Sequence, residues 1–151
     1  MTINLQAVDE FVPLVGADLG FSGWVHIGQD RVDTFADATD DHQWIHVDPV
    51  RAAGGPYGGA VAHGYLTLAL VPGLLPQLVD VQGSSMAVNY GCNKVRFPAP
   101  VPVGSDVRLG AKVAQVEEFD GGVQVLFDVV LEVKGATKPS CAAQVVYRFY
   151  R

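Results

Sequence analysis

The chain is poor in charge: Asp, Glu, Lys and Arg make up 17% of its 151 residues, against 49% for hydrophobic types. That balance excludes a solvated, disordered chain. It also leaves few charges to cover a monomer, so part of the surface is expected to lie beneath a partner subunit, most simply in a homodimer. Lys and Arg number ten against sixteen acidic residues, a formal charge of −6, and they are thinly spread. Without a concentrated cationic footprint, nucleic acid is not an expected partner. Cys92 and Cys141 form neither a CxxC pair nor a disulfide-dense scaffold, which points to a reducing compartment. Met1-Thr2-Ile3-Asn4-Leu5 lacks a basic segment followed by an apolar stretch, so a cytoplasmic protein is expected. Neither Ser84 nor Ser85 sits in a GxSxG elbow, and the cysteines have no visible partner, which argues against nucleophilic hydrolysis. No repeat or linker divides the chain, and one domain over 1–151 is expected.

What is present is mostly periodic. Leu5, Val8, Phe11, Val12 and Val15 stand at helical spacing and predict a short amphipathic helix over 4–16, closing at Gly16 or Gly20, as a lid or cap. Ser22 to Ile27 reads as a strand. Gln29 to Ala38 reads as a helix with Val32, Phe35 and Ala36 inward. The twenty residues from Ala60 to Val79 carry no formal charge, but Pro72, Pro76, His63, Gln77 and two glycines fit a membrane span poorly. The expectation is instead a helix from about His63 to Leu75, apolar all round because a sheet wraps it. Strict alternation over 107–113, 123–133 and 141–149, a hairpin signal at Asp120-Gly121-Gly122, and a strand from Met86 to Phe97 kinked near Gly91 supply that sheet. The fold class is α+β: one long antiparallel sheet around one apolar helix.

The segment from Thr39 to Pro49 breaks every period, yet holds two of the four histidines and three carboxylates. Asp48-Pro49 reads as N-cap and first residue of a short helical turn through Ala53. Asp41 and His46, five apart, can aim a carboxylate and an imidazole at one water, and imidazole suits proton transfer near neutral pH. A capping aspartate beside a packed histidine would look the same. His63-Gly64 opens the apolar helix, where amides lack internal partners and a missing side chain lets a carbonyl approach. A glycine needed only for tight helix entry is the equal alternative.

Three segments in order carry a resemblance: Phe35 to Pro49, Ala62-His63-Gly64-Tyr65-Leu66-Thr67-Leu68, and Val95-Arg96-Phe97-Pro98-Ala99-Pro100-Val101-Pro102-Val103-Gly104. Together they resemble the MaoC-like (R)-specific enoyl-CoA hydratases, in particular the single-domain branch with nodulation protein N and 3-hydroxyacyl-thioester dehydratases. The resemblance implies a hot-dog fold and reversible syn hydration of a trans-2-enoyl thioester of coenzyme A or an acyl carrier protein. It maps the catalytic Asp and His onto Asp41 and His46, leaves Asp40 out of register, and maps the oxyanion amide onto Gly64. It also implies a thioester tunnel near a subunit boundary and no cofactor. Where many members have Asn and then Pro, this chain has Gln43 and Trp44. Gln43 can still hydrogen-bond, whereas Trp44 is bulkier and is expected to reshape the pocket. Candidate substrate contacts are Gln43, His63, Tyr65, Asn89, Asn93, Lys94 and Arg96; Lys94 and Arg96, helped by Asn93, are the candidates for coenzyme A phosphates, with plain solvation of a strand face as the equal alternative.

Rival readings are a hot-dog acyl-CoA thioesterase, with water aimed at C1, and a non-catalytic acyl-thioester-binding protein. His42, His46 and Asp41 or Asp48 also cluster as a metal site would. His42-x-x-x-His46 lacks the Glu that accompanies such pairs in zinc hydrolases, and no metal is expected.

Overall fold

Alternating apolar and polar side chains put one face of a strand in the core. The computed structural model describes residues 1–151; in it β6 (Ser105–Phe119), β7 (Gly122–Val133) and β8 (Cys141–Tyr150) follow the alternation, and a fourth long strand, β5 (Met86–Arg96), buries no residue. With β2 (Asp18–Phe21) they form an antiparallel sheet in the order β2-β6-β7-β8-β5, and β3 (Val25–Ile27) pairs with β6 beyond β2. Leu109 opposite Leu131, and Phe127 opposite Val145, place the apolar set of neighbouring strands on one face. The turn at Asp120-Gly121 joins β6 to β7. Gly121 takes φ +96°, and a side chain on Gly122 would strike the Phe149 carbonyl. β5 is kinked twice, by register shifts between Asn89 and Gly91 and between Cys92 and Lys94.

Across the inner face lie α4 (Gly64–Ala69) and α5 (Val71–Leu74), followed by a 3₁₀ turn, Leu75–Gln77. This is the expected central helix in pieces, because Pro72 cannot donate its share of the ladder. Its burial is one-sided: Leu66, Thr67, Val71, Leu74 and Leu75 are buried, but Tyr65, Ala69, Pro72 and Gly73 are exposed. The sheet covers one flank only, and the other opens toward β5. No helix is long and apolar enough to cross a membrane.

The N-terminal segment also differs from expectation. Ile3–Leu5 forms β1, parallel to β4 (Val79–Val81), and Val8–Leu14 is a 3₁₀ helix containing Pro13. It is no lid: Phe11 is fully buried, 4.9 Å from the ring of Phe149, while Val12 and Val15 are exposed. The expected strand over Ser22 to Ile27 is shortened to β3, and a strand not expected, β2, precedes it. Ser22 lies between them, its N–H donating to the Leu109 carbonyl at 2.8 Å and its hydroxyl accepting from the Leu109 N–H at 2.9 Å. A second, smaller core of Ile27, Val32, Ala62, Leu66, Val101 and Val107 joins α1 (Gln29–Thr39) to the sheet end that carries the site.

Candidate active site

Helix α1 delivers the chain to the site. It ends on Asp40, whose φ of +56° is the only positive value outside glycine, and the Asp40 and Asp41 amides both return to the Ala36 carbonyl. Asp40 thus serves as a left-handed helix cap, and the chain turns so that Asp41 is the carboxylate presented. The expected loop then contains a short helix, α2 (Trp44–Val47), followed by α3 (Pro49–Ala53). The Asp48 carboxylate accepts from the Arg51 N–H at 3.0 Å, the cap read from the sequence.

His46 is buried, and its Nδ1 lies 2.6 Å from the Val61 carbonyl. A carbonyl only accepts, so Nδ1 carries the proton and Nε2 keeps a free lone pair. Gln29 fixes the same residue from behind, its amide donating to the His46 carbonyl at 2.7 Å and to Asp33 at 2.8 Å. Asp41 is half exposed, and its Oδ1 accepts from the Gln43 N–H at 3.4 Å. His63 completes the group. Its Nε2 donates to the Asp41 carbonyl at 2.9 Å, and its ring stacks on His46 with centroids 3.8 Å apart and planes 24° apart. One ligating atom from each of Asp41, His46 and His63 lies within 4.8 Å of the others. That span suits one water held by two hydrogen bonds. Near-parallel imidazoles keep their in-plane lone pairs from converging, which fits a tetrahedral metal poorly. His42 is turned away, with Nε2 2.8 Å from Asp37, and that carboxylate holds its imidazole above the usual histidine range.

A cavity of about 340 Å³ adjoins His46, with Gly64, Thr67, Tyr57, Phe97 and Val101 also in its wall; Asp41 stands beside His46 but outside that wall. Gly64 is the first residue of α4, and its N–H meets no protein acceptor. A Cβ there would come within 3.0 Å of the Phe97 ring.

The other expected contacts scatter. Gln43 is the exposed N-cap of α2. Trp44 does not reach the cavity wall: its ring packs on Gly55, with the Arg51 guanidinium 4.4 Å above it. The expected reshaping of the pocket by Trp44 is therefore not seen. Tyr65 is 73% exposed, edge-on to Phe97. Asn89 faces a separate groove between β5 and the exposed flank of α4 and α5, with Leu68, Pro72 and Tyr147. Asn93 is on the outer face of the sheet, its amide donating to Gln144 at 2.7 Å. Lys94 and Arg96 are exposed on β5 opposite Gln144 and Ala142, outside the cavity wall. Within one protomer, then, the structure gathers Asp41, His46, His63 and Gly64 and not the four β5 residues. Gln29 and the Val61 carbonyl, which orient His46, had no signal in the sequence. Burial pushes the Cys141 thiol up to about 11, consistent with an inert core cysteine.

An antiparallel sheet packed on a central helical segment, with a carboxylate and imidazole beside the helix start, is the hot-dog architecture. The family model described as MaoC like domain matches residues 10–134, and the chain belongs to the MaoC-like family. It is 50% identical over 147 residues to the 3-hydroxyacyl-thioester dehydratase Z of Mycobacterium tuberculosis, spanning 97% of each chain. It is 40% identical to the nodulation protein N of Rhizobium leguminosarum bv. viciae, over 85% of this chain and 82% of that one. Among solved structures, the monoamine oxidase regulatory protein of Archaeoglobus fulgius superposes with a TM-score of 0.81 at 20% identity, covering 100% of this chain and 98% of that one.

Proposed function

We propose that the protein reversibly hydrates trans-2-enoyl thioesters to (R)-3-hydroxyacyl thioesters. The observation that carries this is the Asp41 and His46 pair, spaced for one water, with His46 in the wall of a cavity that Gly64 also lines. A 50% identical relative that is a 3-hydroxyacyl-thioester dehydratase supports the reaction class.

In the hydration direction the thioester carbonyl oxygen accepts from the Gly64 N–H. Asp41 accepts one hydrogen of the water, and His46 Nε2 accepts the other. The water oxygen bonds to C3 as its proton passes to Nε2, and the C2–C3 π electrons move into the thioester as an enolate. The His46 imidazolium keeps its Nδ1–H on the Val61 carbonyl, and the pair returns one proton to C2 on the same face. Dehydration is the reverse. A preorganised donor at the enolate oxygen is worth about 3 kcal/mol of barrier. Purified protein is expected to consume crotonyl-CoA and yield the (R) product, while folded Asp41→Asn and His46→Ala variants do not. Wild-type rates in both would sink the assignment.

The working form is proposed to be a homodimer built on β5. That strand pairs only with β8, carries Met86, Tyr90 and Phe97 exposed at or beyond its ends and middle, and flanks the open groove beside α4 and α5. A long edge without proline or many charges is a pairing template. Asn89, Asn93, Lys94 and Arg96 are then substrate contacts only if the partner brings them to its neighbour's cavity. Light scattering is expected to give twice the chain mass, and a monomer would remove this role from them.

A further inference from the structure

Behind His46 lies a second imidazole that the hydration step does not use. His63 is 2% exposed and is enclosed by His46 on one side and Phe35 on the other, the latter at 5.0 Å between ring centroids. It is the N-cap residue of α4, yet its side chain makes no capping hydrogen bond and turns back to the Asp41 carbonyl. Its Nδ1 is buried without a partner. The Asp41 carbonyl can only accept, so the ring proton sits on Nε2. The carbonyl partners thereby place the His63 proton on Nε2 and the His46 proton on Nδ1.

We infer that His63 is a positioning residue for the hydration: its N–H anchors the main chain of Asp41 while its ring face sets the plane of His46. Carboxylate and imidazole then keep the separation that one water bridges. The inference rests on Asp41 and His46 being the hydrating pair. It replaces the substrate contact expected of His63, whose ring is not part of the cavity wall. One side chain thus ties the start of α4, where Gly64 offers its amide, to both groups that handle the water.

Three variants separate the two contacts in steady-state hydration of crotonyl-CoA, with folding followed by circular dichroism. His63→Gln keeps an N–H for the Asp41 carbonyl, His63→Phe keeps a ring face, and His63→Ala keeps neither. A misplacement on the order of 1 Å predicts about a 100-fold loss of kcat in His63→Ala. KM should stay within about threefold, as for a group acting only on the chemical step. His63→Gln should recover at least about tenfold of that loss, with His63→Phe between the two. A His63→Ala kcat close to wild type, a His63→Gln variant no better than His63→Ala, or a loss carried in KM overturns the inference. Should His63→Ala not fold, nitrogen-15 correlation spectra of the wild-type imidazoles decide. They are expected to show His63 as Nε2–H and His46 as Nδ1–H, and an Nδ1–H tautomer at His63 overturns it. Asp41→Asn and His46→Ala in the same assay keep the two ideas apart. Wild-type rates there remove the pair itself, whereas loss there with an indifferent His63→Ala removes only the positioning role.

Discussion

Replacing Gly64 by alanine separates the carbonyl-binding role of this residue from a role in helix entry. Gly64 is not at positive φ, so alanine meets no backbone strain. Helix propensity favours the change by up to about 1 kcal/mol. Against this, the new Cβ would approach three atoms of the Phe97 ring at 3.0 to 3.1 Å. Phe97 is 42% exposed and has solvent into which to yield by a few tenths of an ångström. The two effects oppose, and stability should change by less than about 1 kcal/mol. Activity should respond quite differently. The methyl group and the displaced Phe97 ring both enter the cavity wall where the thioester must approach the amide. Forfeiting one such donor predicts a loss of about 3 kcal/mol, or roughly 100-fold in kcat/KM. The assay is the loss of conjugated-enoyl absorbance with crotonyl-CoA, beside a thermal melt. A variant that melts like wild type and hydrates within about twofold of it would refute the placement of the thioester carbonyl at this amide.

Two further predictions concern the approach to the site. Asp40→Gly should stabilise the fold by about 0.5–1 kcal/mol, because the left-handed cap at φ +56° strains a side chain and not a glycine; chemical denaturation checks this, and a loss of stability would contradict it. The Asp37 carboxylate raises the His42 pKa above 6.5, so their contact stabilises the folded state below that pH and the benefit fades as pH rises through the raised value. Asp37→Asn should therefore return the His42 titration toward 6.5, read by proton NMR, and cost more stability near about pH 6 than near about pH 9, by a small and salt-screened amount.

Strands β6, β7 and β8 were legible because each keeps one face buried over several consecutive alternations, and period-two alternation is the direct trace of that burial. Helix α1 and the Asp48-Pro49 cap were legible because local chemistry alone decides them. The N-terminal segment was not: Leu5, Val8 and Phe11 satisfy helical spacing, but Pro13 and the pairing of Ile3–Leu5 with β4 divide it into a strand and a 3₁₀ helix. Ser22 looked like a strand residue because only its hydroxyl's contact with Leu109, a partner 87 positions away, reveals the break. In the site, Asp41 and His46 were found through the resemblance, since their spacing alone fits a plain loop better than a catalytic pair. The turn at Asp40 now supplies a physical reason for choosing Asp41. The role of His63 was missed because it depends on which way a buried ring turns, and that is set by Phe35, His46 and Asp41 together.

The central claim is that Asp41 and His46 act as one unit on one water. The measurement that tests it most directly is the hydration rate of crotonyl-CoA for Asp41→Asn, His46→Ala and the double variant, each shown to be folded. Groups acting as a unit are strongly non-additive. Each single change is expected to remove at least about 1,000-fold of kcat, and the double variant to be no more than about tenfold slower than either. Single variants that retain wild-type rates, or a double variant whose loss is the product of two modest ones, would contradict the account.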